Sequence, residues 1–418
     1  MPSNSDPLRS PSSTLLVAAI LLLGLNLRPI LAAIGPLLDA IQTGTGISSA
    51  DAGLLTTVPV FAMGLCALAG AQLQRRLGVV RGVGLGIGII ALACALRWPL
   101  HGSAGLIATA ALGGLGIALV QALLPAFIKR HFPERAGQLM GLYTTGIMGG
   151  AALAAASASP LGQLLGWQTL LALWALPAAA ALLLWRRATA AHVDVAGGSN
   201  ASLPVRAPRA WLLMVFFGIG TGAYTLVLAW LPPFYTELGW SAARSGLLLG
   251  ALTLVEVAAG LVVSSILHRF PDRRPLLLAV LLSVLAGLVV SSIINRFTDR
   301  RPLLLAVLLS VLLGLACLIV APTLLAIPAV ILLGCGIGAL FPLSLIVSMD
   351  HVTEPSGAGA LLGFVQGGGY IVASGMPFIA GLIRQHSASL AQAWMVMAGG
   401  VVLLLLIALR FAPGGKLR

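Results

Sequence analysis

Apolar runs long enough to cross a lipid bilayer follow one another from residue 14 to residue 411, separated by short joints rich in Arg, Gly and Pro. A helical span needs about 20 apolar residues. A bilayer core offers no water to the backbone, so such a chain can only form helices or a closed barrel. Barrel strands alternate apolar and polar residues over about 10 positions, and these runs do not alternate. Charged residues make up only 8% of the chain, against about 25% in soluble domains. The pattern predicts an all-α polytopic membrane protein.

The net charge of +13 and the pI of 11.1 do not point to nucleic acid. The cations sit in the joints between spans, and no basic stripe with interleaved aromatics is present. That is the pattern expected when Lys and Arg are retained on the cytoplasmic side. Cys66, Cys94, Cys317 and Cys335 all fall inside apolar runs and read as small hydrophobes, not as disulfides or a zinc site. The polar segment 1–13 precedes a run too long for a signal peptide, so it reads as a retained cytoplasmic N-terminus.

Hydropathy predicts helices near 14–40, 50–72, 79–99, 104–128, 138–159 and 166–185. A polar linker over 186–209 separates these from a second half, 210–411, with a short tail over 412–418. Helices in the second half are predicted near 210–235, 244–267, 275–294, 302–321, 324–348, 357–382 and 391–411. With a cytoplasmic N-terminus, the inner joints collect Arg75, Arg76, Arg81, Lys129, Arg130, Arg135, Arg186, Arg187, Arg206, Arg209, Arg269, Arg273 and Arg274. The outer face receives Arg97, Arg244 and Arg384. The expected location is a bacterial inner membrane, crossed many times.

Two repeats are visible. "ISSADAGLL" (Ile47 to Leu55) returns as "WSAARSGLL" (Trp240 to Leu248), and "AGQLMG" (Ala136 to Gly141) as "AGALLG" (Ala358 to Gly363). Parallel repeats of this kind mark a protein built of two related six-helix halves. The second repeat is tandem: residues 259–285 recur at 286–312, differing only where Leu267, His268 and Pro271 become Ile294, Asn295 and Thr298. It adds an apolar stretch, 275–294, to twelve spans. Hydropathy favours a thirteenth crossing there, whereas the charge rule favours a segment held on the cytoplasmic side.

Arg28 is the most informative side chain. It stands near the middle of the first span, in "LGLNLRPILAAIGPLL" (Leu23 to Leu38), where a cation costs about 2.5–3.5 kcal/mol. It shares a helical face with Gly24, Ala32 and Gly35, and Pro29 beside it should kink the helix and free backbone groups next to the charge. It reads as an anion-binding cation or as half of a structural ion pair. Glu256, the one carboxylate at mid-span, reads as a proton-coupling group, a structural acid or a partner for Arg28. Asn26, Gln121, Tyr143, Tyr224 and Gln366 are candidate substrate contacts, with Thr144, Thr145, Thr225 and Tyr370 as further in-span polar groups. Interhelical hydrogen bonding is the alternative for each of them. The glycine clusters at Gly113–Gly114, Gly149–Gly150 and Gly367–Gly369 follow no strand and precede no Lys-Ser/Thr, so no nucleotide site is expected. Asp350, His351 and Glu354 share a joint and read as a solvated turn, not a metal site. No nucleophile–base motif and no cofactor motif is present, so an enzyme is not expected.

Seven segments carry a family resemblance: "LNLRP…GPLL", "GLLTTVPV" (Gly53 to Val60), "GIALVQALLPAFIKRHF" (Gly116 to Phe132), "MGLYTTGIMGG" (Met140 to Gly150), "AWLPPFY" (Ala229 to Tyr235), "GALFPLSLIVSMDH" (Gly338 to His351) and "RFAP" (Arg410 to Pro413). With them the chain resembles the cyanate-permease/NimT branch of the major facilitator superfamily, over essentially its whole length outside the duplicated 27 residues. The resemblance implies a major facilitator fold of two six-helix halves and transport of a small solute by alternating access. It implies a small anion such as cyanate as the leading solute, with Arg28 as its cation. A nitroimidazole-like solute, or a non-transporting sensor on the same scaffold, is the alternative. The lipid bilayer is the expected environment, protons are a candidate coupling ion, and a monomer is expected. The loop "GAQLQRRLG" (Gly70 to Gly78) lacks the acid that this superfamily's loop motif normally carries.

Overall fold

The structure, a computed structural model, describes residues 11–99, 102–190, 203–267, 301–350, 355–387 and 389–411. The duplicated stretch 275–294, His351 and Glu354 lie outside these described residues.

The first span is three helices in line: α1 (Pro11–Leu25), α2 (Pro29–Ala32) and α3 (Ile34–Thr45). Pro29 and Pro36 have no N–H to offer the preceding turn, so the ladder must open near them. Before the break the backbone tightens, with Asn26 N–H bonded to Leu23 O and Leu27 N–H to Gly24 O, both at 3.1 Å. Arg28 lies in the break itself.

The second span, α4 (Ser49–Leu68), begins on a capping Ser48 whose hydroxyl accepts the Asp51 N–H at 3.0 Å. It is shorter than the predicted run. The chain turns at Ala69 into a separate Arg-bearing helix, α5 (Gly70–Leu77). The third, fourth and fifth spans are α6 (Val79–Leu96), α7 (Ser103–His131) and α8 (Ala136–Leu165). The sixth is the pair α9 (Trp167–Leu173) and α10 (Ala175–Ala188), and the seventh, α11 (Pro208–Glu237), opens the second half. There follow α12 (Ala242–Leu267), α13 (Arg301–Val320), α14 (Ala326–Asp350), α15 (Pro355–Ser387) and α16 (Ala391–Ala408). The described residues thus hold six helical segments in each half, and eleven of the twelve contain a helix long and apolar enough to cross a membrane.

The α13 helix packs on α14 and α16 as α6 packs on α7 and α10. Arg301–Val320 is therefore the counterpart of α6 among the described residues, and the end of the second duplicate copy supplies its first part.

The two halves meet along two seams, α4 with α15 and α12 with α8. These seams are related by the old repeat. A Cβ on Gly53 would strike the backbone of Pro377 in α15, and one on Gly246 would strike Ala155 O in α8. Gly53 and Gly246 are equivalent positions of the repeat "DAGLL"/"RSGLL". Enclosure follows the same plan: 83% of the seventh span's apolar window is buried against 28% for the sixth, so the seventh is central and the sixth peripheral.

Gly338 in α14 lies on the backbone of Glu256 in α12, and a Cβ there would meet Glu256 O and Cα. We expect Gly338→Ala to lower stability by roughly 1–3 kcal/mol, the usual cost of overpacking, seen as a lower melting midpoint in detergent. Gly399→Ala, where a Cβ meets nothing within 4 Å, should leave the midpoint unchanged.

Candidate substrate site

Arg28 is 5% exposed and Glu256 3%, so two oppositely charged groups are enclosed in the middle of the bundle, one from each half. The break between α1 and α2 brings Arg28 in, and the small residues on its face let neighbouring backbones come close. Gly24 lies against Tyr143 O of α8 and Gly35 against Leu228 O and Ala229 O of α11, the packing role expected for that face.

Five spans reach Arg28. Its Nη1 stands 4.0 Å from Met63 Sδ in α4. Its guanidinium carbon is 5.5 Å from the centre of the Tyr224 ring in α11, within cation–π range. The Tyr370 side chain of α15 lies within reach of it. Tyr143 of α8 and Glu256 of α12 lie within reach of its charge.

The cluster is under-satisfied. Arg28 Nε, Tyr143 OH, Tyr224 OH and both carboxyl oxygens of Glu256 are buried without a hydrogen-bond partner among the described residues. Arg28 and Glu256 therefore sense each other without touching. Buried polar groups normally find partners, and a group of them left unpaired at one place calls for an explanation. A small polar ligand that accepts from Arg28 and the phenols supplies one.

The other sequence candidates divide. Gln121 in α7 is half-buried, with Oε1 unpartnered. Gln366 stands one helical turn before Tyr370 on α15 and so shares its face. Asn26 is not brought into the cluster: its amide donates to Leu22 O at 2.7 Å and Pro177 O at 3.2 Å, tying the first span to the sixth. Thr144 is exposed and bonds back to Met140 O and Gly141 O of its own helix, at 3.0 and 2.9 Å. Thr225 bonds Ala373 O at 3.1 Å and serves the α11–α15 contact.

Tyr370 belongs to the cluster as fully as any residue ranked above it from the sequence. The signal for it was the run Gly367–Gly369 just before it. Gly367 lies against Leu68, Gly368 against Met214 and Gly369 against Phe217, so the absence of side chains presses α15 into the bundle at that level.

A second cross-half feature had no sequence signal. At one end of the bundle Arg384 of α15 bonds Glu237 of α11 at 2.6 Å and reaches Asp39 of α3 at 3.8 Å and Gln42 Oε1 at 3.5 Å. Beside it Gln385 Oε1 accepts the Ala50 N–H at 3.3 Å. Near this clasp the α8–α12 seam is tight, with Gly246 and Gly250 against Ala155 and Ala156. Toward the Arg-rich end of α8, Gly137 and Gly141 meet no atom within 4 Å.

Two six-helix halves, with a cation-bearing polar site held between them, define a membrane transporter of small solutes. The chain belongs to the Major Facilitator Superfamily, whose family model matches residues 14–293. It is 37% identical over 402 residues to the cyanate transport protein CynX of Escherichia coli (strain K12), covering 95% of this chain and 97% of that protein. It is 31% identical over 418 residues to the 2-nitroimidazole transporter of the same organism, covering 96% of this chain and 95% of that protein.

Among solved structures, a D-xylose-proton symporter superposes with a TM-score of 0.73 at 14% identity, covering 97% of this chain and 99% of that one. A bacterial homologue of the human lysosomal transporter Spinster, inward-facing and occupied, superposes at 0.70 with 16% identity, covering 96% of each chain. At these identities the two superpositions show the fold alone. The protein is thus a multi-pass membrane transporter and not an enzyme.

Proposed function

We propose that the protein carries a small monovalent anion, cyanate first among them, by alternating access, with Arg28 as the anion ligand and Glu256 as the proton-coupling group. The observation that carries this reading is the enclosed Arg28 guanidinium with an unpartnered Nε, ringed by phenols from both halves and left unpaired by Glu256. An intramembrane cation with no ion-pair partner is a site for an external anion by default. The identity to CynX supports cyanate as the anion.

Tyr143, Tyr224 and Tyr370 can donate phenolic hydrogens to the far end of a short linear anion, and Gln121 and Gln366 extend that lining. A charged Glu256 competes with the anion for Arg28, whereas a protonated one does not. Binding of anion and proton is therefore linked, and the pair crosses together. The clasp at Arg384, with the close seam beside it, is consistent with a state shut at that end and open toward the Arg-rich face. We place that face on the cytoplasmic side of a bacterial inner membrane.

The test is uptake of labelled cyanate into proteoliposomes with and without an inward proton gradient. Saturable uptake that the gradient accelerates is the expected result. Saturable uptake indifferent to the gradient removes the coupling role, and no uptake by folded protein removes the anion. A nitroimidazole solute is the second reading, favoured by the identity to the 2-nitroimidazole transporter and by aromatic faces at the site. Competition by 2-nitroimidazole in the same assay distinguishes it.

A further inference from the structure

A second arginine is buried against the backbone two residues from the first, among the cations that the charge rule places on the outer face. Arg97 caps the end of α6 and is 1% exposed. No carboxylate among the described residues bonds it. Its Nη1 donates to Ile30 O at 3.2 Å and its Nε to Thr109 Oγ1 at 3.4 Å, while Nη2 has no partner. Thr109 is itself oriented, because its hydroxyl donates to Leu106 O at 2.9 Å and so turns lone pairs toward Arg97. Enclosing a guanidinium against neutral dipoles alone costs several kcal/mol, and a leucine would fill the same space without that cost. The bond to Ile30 is what a leucine would not supply.

Ile30 belongs to α2, the four-residue piece Pro29–Ala32 held between the two breaks of the first span, and Arg28 is its N-cap. So short a helix has little hydrogen bonding of its own to fix its direction. It packs against α7, α8 and α11, and Ile30 is held in two further ways. Arg97 holds the Ile30 carbonyl, and the Ile30 side chain lies in a slot cleared by Gly113 of α7, where a Cβ would meet Ile30 Cδ1. Ala93, one turn before Arg97 on α6, also stands at Gly113.

We infer that Arg97 is the positioning residue for Arg28: by holding the Ile30 carbonyl it sets the direction in which Arg28 leaves the helix break and enters the polar cluster. The inference rests on the proposed role of Arg28 as anion ligand only for its effect on transport. Its geometric content is independent of any substrate. Arg97 touches neither the anion nor the other cluster residues, and it acts through two residues of backbone.

Two measurements test it. In the first, Arg28→Cys is made alone and together with Arg97→Gln in reconstituted protein. The reaction rate of the new thiol with a water-borne methanethiosulfonate reagent is then followed, with the protein lacking Arg28→Cys as the background for the native cysteines. Losing one such hydrogen bond, worth roughly 1–1.5 kcal/mol, should slow labelling about five- to tenfold. Equal rates in the two backgrounds overturn the inference.

In the second, labelled cyanate uptake is measured with Arg28 intact. Arg97→Gln should raise KM about tenfold with little change in kcat, and Arg97→Lys, which keeps one donor and the charge, should fall between it and the parent. A loss of kcat and of folded yield together, at unchanged KM, is the mark of a structural role only and also overturns it. Where Arg97→Gln does not fold, Thr109→Val loosens the same guanidinium while keeping its charge, and unchanged labelling and KM in that variant count against the inference. If the parent transports no cyanate, the reading of function fails, while the labelling arm still decides the geometry.

Discussion

Arg28→Gln is expected to abolish saturable anion uptake while leaving the protein in the membrane at normal yield. Glutamine retains hydrogen-bond donors but loses the charge, and hydrogen bonds to a charged group contribute about 1.5–3 kcal/mol each in an enclosed site. Two such bonds to the anion put the loss in kcat/KM at roughly 100-fold or more. Stability should not fall with it. Arg28 makes no salt bridge among the described residues, its thioether contact to Met63 is long at 4.0 Å, and its Nε is unpaired. Removing an enclosed cation of this kind relieves a desolvation cost, so the expected melting midpoint is equal to or above that of the parent. Uptake by Arg28→Gln at the parent rate would sink the anion-ligand role, and a protein that fails to insert would show Arg28 to be structural.

Glu256→Gln should separate the two fluxes. The amide cannot release a proton and cannot carry a negative charge, so it fixes the site in the form that does not compete with the anion. Exchange of labelled for unlabelled cyanate should continue within about threefold of the parent, while acceleration of net uptake by an inward proton gradient is lost. The pH dependence of anion binding should flatten in the same variant, because the competing charge is gone. Backbone strain does not confuse the result, since the glycine at 338 already makes room for Glu256 and glutamine has the same shape. Gradient-driven uptake surviving in Glu256→Gln would move the coupling role elsewhere, and loss of exchange together with folded yield would mark Glu256 as a structural acid.

Much of this protein was legible from local pattern. The length and apolarity of the runs fixed the membrane class, since only a backbone satisfied within each segment survives in a bilayer. The old repeat announced two halves, and the structure turns it into two matching seams, with Gly53 against Pro377 and Gly246 against Ala155. Arg28 stood out because a charge at mid-span is costly, and a kink beside it followed from a proline without an N–H to donate, which the structure shows as a full break. Hydropathy was less reliable where two segments are equally apolar. It offered both 275–294 and 302–321 as spans; the packing of Arg301–Val320 on α14 and α16 makes that helix the counterpart of α6, while 275–294 lies outside the described residues.

What the sequence could not contain is which polar groups meet. Asn26 and Arg28 are two residues apart, yet one ties down the sixth span while the other faces both halves, because a broken helix no longer keeps the angular spacing that links neighbours. Tyr370 and Glu256 come to Arg28 from distant helices whose spacing is set by glycine contacts in three dimensions. The charge rule put Arg97 among the outer-face cations, and it gave no sign that the side chain is enclosed against a carbonyl of the first span. Sequence alone determined the solvent this chain folds in, its two-half plan and its one central cation. The tertiary structure alone decided the company that cation keeps, because hydropathy and periodicity are properties of neighbours along a chain and a binding site is a property of neighbours across it.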